Sequence, residues 1–213
     1  RVTGTYQKRP SPNDFDGDGL SDIGVYWPAA GQWSLLQSFG NVSRVLNWGW
    51  SQAYPVPRDY DGDGTTDVAV YYPGGGAWSI LPSSGAASYT VNWGWSEAEA
   101  VPGDYDGDGL ADIAVYHPGS GQWSIILSST GASRTQGWGW SEALPVPGDY
   151  DGDGKTDIAV YHPASGQWSI VLSSTGGLRT QGWGWSQAEA VPGDYDGDGT
   201  TDIAVYYPGG GAW

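Results

Sequence analysis

Three regularities in the 213-residue sequence predict an all-β fold built from small repeated sheets. All 20 Asp residues fall in five clusters, whose first members Asp14, Asp59, Asp104, Asp149 and Asp194 lie 45 residues apart. Trp-Gly-Trp pairs keep the same interval, at Trp48/Trp50, Trp93/Trp95, Trp138/Trp140 and Trp183/Trp185. Between these marks, short β-rich runs alternate with Gly-, Pro- and Ser-rich turns, and no stretch carries a helical apolar stripe. A fixed period of roughly 20–50 residues signals a repeat architecture, so residues 1–213 are read as one domain of tandem repeats.

The repeat starting at Val146 shows each element. A short Val-Pro segment precedes the Asp-Gly-rich loop. Residues 157–161 (Asp-Ile-Ala-Val-Tyr) form a strand that stops before Pro163. A Gly-containing turn leads to a strand over 167–172, in which Trp168, Ile170 and Leu172 share one face. The polar 173–177 link then leads to a fourth strand over 178–186 that carries both Trp residues. Apolar groups on both faces of the inner strands require cover on both sides. Four-stranded sheets set radially, each between two neighbours, supply that cover, so the expected fold is a β-propeller of about five four-stranded blades.

Each acidic cluster reads Asp-(Tyr/Phe)-Asp-Gly-Asp-Gly-x-x-Asp. Carboxylates at loop positions 1, 3, 5 and 9 converge if a tight turn folds the loop about a centre, and position 7 offers a backbone carbonyl. The expected ligand sets are Asp14, Asp16, Asp18, Leu20 and Asp22; Asp59, Asp61, Asp63, Thr65 and Asp67; Asp104, Asp106, Asp108, Leu110 and Asp112; Asp149, Asp151, Asp153, Lys155 and Asp157; and Asp194, Asp196, Asp198, Thr200 and Asp202. An all-oxygen set of this kind suits Ca²⁺, about five ions in total, rather than Zn²⁺ or copper. Position 12 is Val in every copy, so the loop is not an EF-hand.

The run DYDGDGKTDIAVYHP and its four siblings resemble the FG-GAP/VCBS repeats of integrin α-subunit propellers, some fungal lectins and many bacterial surface proteins. The resemblance covers the whole chain. It implies a propeller with Ca²⁺ bound between the first two strands of each blade, the Asp residues above serving as ligands. Such propellers usually have seven blades, whereas this chain has five loops.

The chain carries 24 acidic against 8 basic groups, a formal charge of −16. That argues against nucleic acid and anionic membrane as partners, since both are polyanions. With one divalent ion per loop the charge falls to −6, and the case against nucleic acid rests on the lack of a basic patch. Zero Cys excludes disulfides, thiolate metal sites and cysteine catalysis. No apolar run reaches the roughly 18 residues of a membrane span. Lacking Met, the chain reads as a processed or excised piece of a longer product. Repeat phase makes Arg1–Tyr6 a degenerate last strand that completes the blade begun at Ala190. The other reading is that the unpaired end strands meet those of another chain.

Catalysis has little to work with. His117 and His162 stand where other repeats carry Trp27, Tyr72 and Tyr207, which points to packing or stacking. Glu97, Glu99, Glu142 and Glu189 form no distinctive pair, so no enzyme is expected. The Trp-Gly-Trp residues are the candidate ligand platform, because Trp faces stack on sugar rings; at alternation spacing both would share one face. The expected function is a Ca²⁺-stabilised extracellular or cell-surface module for adhesion or carbohydrate recognition, with glycans or another extracellular protein as partner. The alternatives are a structural spacer or filament-forming array, or an accessory domain of a larger carbohydrate-active or surface protein. Asn41-Val42-Ser43 is a glycosylation sequon.

Overall fold

The computed structural model describes residues 13–211. The fold is all-β, a propeller-like arrangement of four blades and part of a fifth, each with its own Asp loop. The first sheet holds Ile23–Trp27 (β1), Gln32–Leu36 (β2) and Ser43–Asn47 (β3). The second holds Tyr54–Pro55 (β4), Val68–Tyr72 (β5), Ala77–Leu81 (β6) and Tyr89–Asn92 (β7). The third holds Glu99–Ala100 (β8), Ile113–His117 (β9), Gln122–Ile126 (β10) and Ser133–Gly137 (β11). Leu144–Pro145 (β12), Ile158–His162 (β13), Gln167–Val171 (β14) and Leu178–Gly182 (β15) make the fourth, and Glu189–Ala190 (β16) pairs with Val205–Tyr206 (β17). Every sheet is an antiparallel meander with neighbours in chain order. The chain divides after Asn92 into two compact units, one with the first two sheets and one with the rest.

The described residues hold three four-stranded sheets, one three-stranded sheet and one two-stranded sheet, in keeping with about five blades. By repeat phase the first strand of the first sheet would fall at residues 9–10, and the expected closing strand at Arg1–Tyr6; both lie outside the described residues.

The inner strands are buried on both faces, as their composition requires. In β14, Trp168 and Ile170 face one way and Ser169 the other, and all three are buried. In the second unit Val160 and Ile158 pack with Tyr116, Trp123 and Ile125 of the third sheet. In the first unit Val68 and Val70 pack with Trp33 and Leu35. The exception is β1, where Ile23, Val25 and Trp27 are exposed at positions that are buried or half-buried in β5, β9 and β13.

The expected fourth strand is corrected. It ends before the Trp pair, at Asn47, Asn92, Gly137 and Gly182, so neither Trp of any pair lies in a strand. The cause is the intervening glycine. Gly139 has φ +119°, a conformation that L side chains rarely adopt, and an added Cβ would meet the Tyr116 hydroxyl at 2.6 Å. That backbone breaks the pleat, so the two indoles do not share a face and go to different environments.

Candidate metal loops and aromatic edge

In the second to fifth sheets the Asp loop joins the first two strands, at one end of the sheet; the first loop precedes β1. In the fourth loop, the Asp149 carboxylate accepts the amides of Gly152 (2.7 Å) and Gly154 (2.9 Å). The Lys155 amide donates to Asp153 (2.8 Å). Asp157 has no exposed surface and accepts the amides of Tyr150 (2.8 Å) and Ser173 (2.6 Å). The glycines at positions 4 and 6 adopt positive φ in every loop, which lets the chain wrap its own carboxylates. Ligand-capable atoms of three carboxylates lie within 4.8 Å of one another in every loop: Asp14/Asp16/Asp18, Asp59/Asp61/Asp67, Asp104/Asp106/Asp108, Asp149/Asp151/Asp157 and Asp194/Asp196/Asp202. These are five repeated sites that could hold a metal ion, and the all-oxygen donor set fits a hard cation.

The electrostatics show what such crowding costs. Burial raises the carboxyl pKa of Asp59 and Asp104, and the neighbouring carboxylates raise it further, while the loop amides pull the other way. Burial likewise raises Asp67, Asp112 and Asp157. A divalent cation offsets both causes. Beneath the loops, the Tyr60 and Tyr150 phenols donate to the Val56 and Val146 carbonyls (2.7 Å each), and burial holds both well above the usual phenol range.

Sequence reasoning missed the serine pairs. The Ser83, Ser128 and Ser173 hydroxyls donate to Asp63, Asp108 and Asp153 (2.9 Å each), and those of Ser129 and Ser174 donate to Asp106 and Asp151 (2.6 Å each). These bonds pin the loop to the turn between the last two strands. The signal was present as Ser-Ser at the repeat interval. Three pairs of successive loops, each within one compact unit, are also linked. The Thr66 amide donates to the Asp14 carbonyl, Thr156 to Asp104 and Thr201 to Asp149, each at 2.6 Å.

The Trp pairs lie at the opposite end of each sheet. The first Trp turns inward: the Trp48, Trp93 and Trp138 indoles donate to the Ser79, Ser124 and Ser169 carbonyls at 3.0 Å. Its own carbonyl accepts the buried third-strand indole, as in Trp123 to Trp138 (2.8 Å). Trp183, whose counterpart by the same offset lies outside the described residues, is exposed.

The second Trp stays at the surface against the residue that ends the second strand. Trp50 meets Tyr72, Trp95 meets His117, Trp140 meets His162 and Trp185 meets Tyr207, with ring centroids 5.5–5.9 Å apart. The two histidines are each held at both ring nitrogens. His117 lies 2.7 Å from the Ser120 hydroxyl and 3.3 Å from the Glu97 carboxylate; His162 lies 2.7 Å from Ser165 and 3.4 Å from Glu142.

Sequence reasoning took these residues one at a time and missed that they change together. Where His stands, Glu and Ser accompany it; where Tyr72 or Tyr207 stands, the partners are Gln52 and Gly75, or Gln187 and Gly210. Sterics explain part of this. A Cβ at Gly74 would run into the Tyr72 hydroxyl, whereas the shorter imidazole leaves space for Ala164 and Ser165.

An all-β repeat with an acidic loop in every blade defines a class of propeller modules, and family comparison narrows it. Residues 59–115 match FG-GAP-like repeats and residues 98–135 match FG-GAP repeats, so this stretch is similar to FG-GAP repeats. No curated protein matches. Among solved structures, a streptogramin B lyase aligns with TM-score 0.55 at 11% identity over 88% of this chain and 62% of its own. The Vibrio cholerae biofilm matrix protein Bap1 aligns with TM-score 0.35 at 17% identity over 92% of this chain and 36% of its own. The chain thus spans about three fifths of the first and about a third of the second. The lyase likeness is one of fold alone.

Proposed function

We propose that this chain is a Ca²⁺-stabilised, non-catalytic recognition module that works outside the cell and binds carbohydrate at its aromatic edge. The observation that carries the reading is the second Trp. In four successive copies it sits at the same end of the repeat, 38–46% exposed, with an aromatic ring on one side and a carboxamide or carboxylate two residues on. Indole faces stack on the apolar faces of sugar rings, and Gln, Glu and His supply the hydroxyl-directed hydrogen bonds. Several weak, equivalent platforms suit a polyvalent glycan, where linked binding multiplies affinity. The role of Ca²⁺ is structural: one ion in each of the five loops, joining the loop to its serine turn in a chain without disulfides. Extracellular Ca²⁺ levels suit such sites.

The test is a glycan array with Ca²⁺ present, followed by Trp95→Ala/Trp140→Ala. The reading expects saccharide binding that this double variant weakens while its melting temperature stays near wild type. Absence of binding to any glycan would sink it.

A second reading, self-association into an array, draws on the exposed Ile23, Val25 and Trp27 of β1. Light scattering decides it: a monomer at all concentrations excludes the array.

A further inference from the structure

The described residues include five basic side chains, Arg44, Arg58, Arg134, Lys155 and Arg179. Two of them line one cleft. Between the third and fourth sheets a cavity of about 280 Å³ is walled by Arg134 and Gln136 from β11, by Lys155 and Thr156 from the fourth loop, and by Ser173 after β14. Ile158, Val171 and Leu172 give it an apolar floor, and no carboxylate contributes to the lining. In a chain of charge −16 this is a local reversal of sign.

The reversal depends on Lys155, since position 7 of the other loops is Leu20, Thr65, Leu110 and Thr200. The metal loop needs only the backbone there, so the side chain is free to serve another purpose. Lys155 lies across Gly107 of the third loop, where an added Cβ would meet its Cε at 2.8 Å. Among the described residues its ammonium makes no ion pair. The Arg134 guanidinium donates to Gln136 (2.6 Å) on its own strand, leaving further N–H groups for a ligand. The corresponding arginine one repeat later, Arg179, instead donates to the Tyr150 carbonyl (3.1 Å) and is accompanied by Thr200 rather than a lysine.

We propose that this cleft is a single anion subsite, which takes a carboxylate or sulfate group between Arg134 and Lys155 with the attached ring on the apolar floor. The geometry is independent of the aromatic edge, so the subsite stands or falls separately from sugar binding there.

The test titrates the full chain, saturated with Ca²⁺, with methyl glucuronide, inorganic sulfate and neutral methyl glucoside, following backbone amides by NMR. Saturable shifts at Thr156, Ser173 and Gly176 with the glucuronide, absent with the glucoside and weakened by salt, support the proposal. Equal shifts with sulfate make the anion alone sufficient; a preference for glucuronide adds the ring. Lys155→Thr, a residue that two sister loops carry, should weaken binding about tenfold, the loss of one charge-assisted contact. The reciprocal Thr200→Lys should add a second site beside Arg179. The proposal is overturned if no anion shifts these amides, or if Lys155→Thr leaves the titration unchanged. It is equally overturned if that variant only weakens Ca²⁺ binding, which would make the lysine a counter-charge to the third loop.

Discussion

The two ends of each sheet follow different rules. At the loop end, all five copies keep the same Asp, Gly and Asp positions, and the same amide bonds recur at nearly the same distances. At the aromatic end the Trp-Gly-Trp frame is kept, while a linked group of three residues alternates between Tyr-Gln-Gly and His-Glu-Ser. The difference teaches where freedom is physically available. A loop whose carboxylates must converge on one centre fails if any member changes, because the rest are left as crowded like charges. The surface face of the second Trp carries no such constraint, and its ring partner changes between Tyr and His while the strands stay the same.

The largest effect should come from emptying the loops. Chelation with EGTA is expected to lower the melting temperature by roughly 5–10 °C for each loop emptied, from about 2.7 kcal/mol per site at a hundredfold excess of Ca²⁺ over Kd. Added Ca²⁺ should restore it. Mg²⁺ should do so poorly, since it demands octahedral geometry and dehydrates reluctantly. Calorimetry reads this directly, and an unchanged melt would break the division between the two ends.

A smaller effect separates the members of one pair. Trp138 holds two backbone links and packs on the third sheet's core, so Trp138→Ala should cost about 3 kcal/mol. Trp140 lies at the surface against His162, and Trp140→Ala should stay within about 0.5 kcal/mol. Urea unfolding with Ca²⁺ present compares them. Equal costs would mean that both indoles are structural, and would remove the main support for a ligand platform.

That pair also marks how much the sequence made legible. The repeat, the all-β class, the loop positions and the two-faced burial of 158–161 and 168–170 all follow from periodicity and alternation, which are local properties. The division of labour within Trp138-Gly139-Trp140 does not, because an alternation argument assumes an extended backbone. The exclusion of a side chain at Gly139 comes from the Tyr116 hydroxyl and Val160, which an added Cβ would crowd and which lie far from it in sequence. The Ser173 bond to Asp153 is non-local in the same sense. Both partners were visible in the sequence, but their meeting depends on how β13 and β14 pair.

The smallest effect tests whether a charge at the aromatic end can be removed without consequence for the loops. Glu99 lies in β8 opposite Tyr116, and burial alone raises its carboxyl pKa above the ordinary 4.5. The same position is Leu144 in the fourth sheet, so Glu99→Leu borrows a residue that the fold already accepts. A raised carboxyl favours the protonated form in the folded state. Its ionisation therefore costs stability once pH rises through the folded pKa, and the cost disappears below the unfolded value. Glu99→Leu should thus stabilise at neutral pH by about 0.5 kcal/mol, a modest figure because the carboxylate is still screened by water. The gain should shrink as pH falls toward 4.5, where the wild-type side chain becomes neutral. Paired denaturation curves at pH 7 and near pH 5, both with Ca²⁺ saturating, measure it. A gain that grew on acidification would show that Glu99 is paired with a positive group rather than merely desolvated.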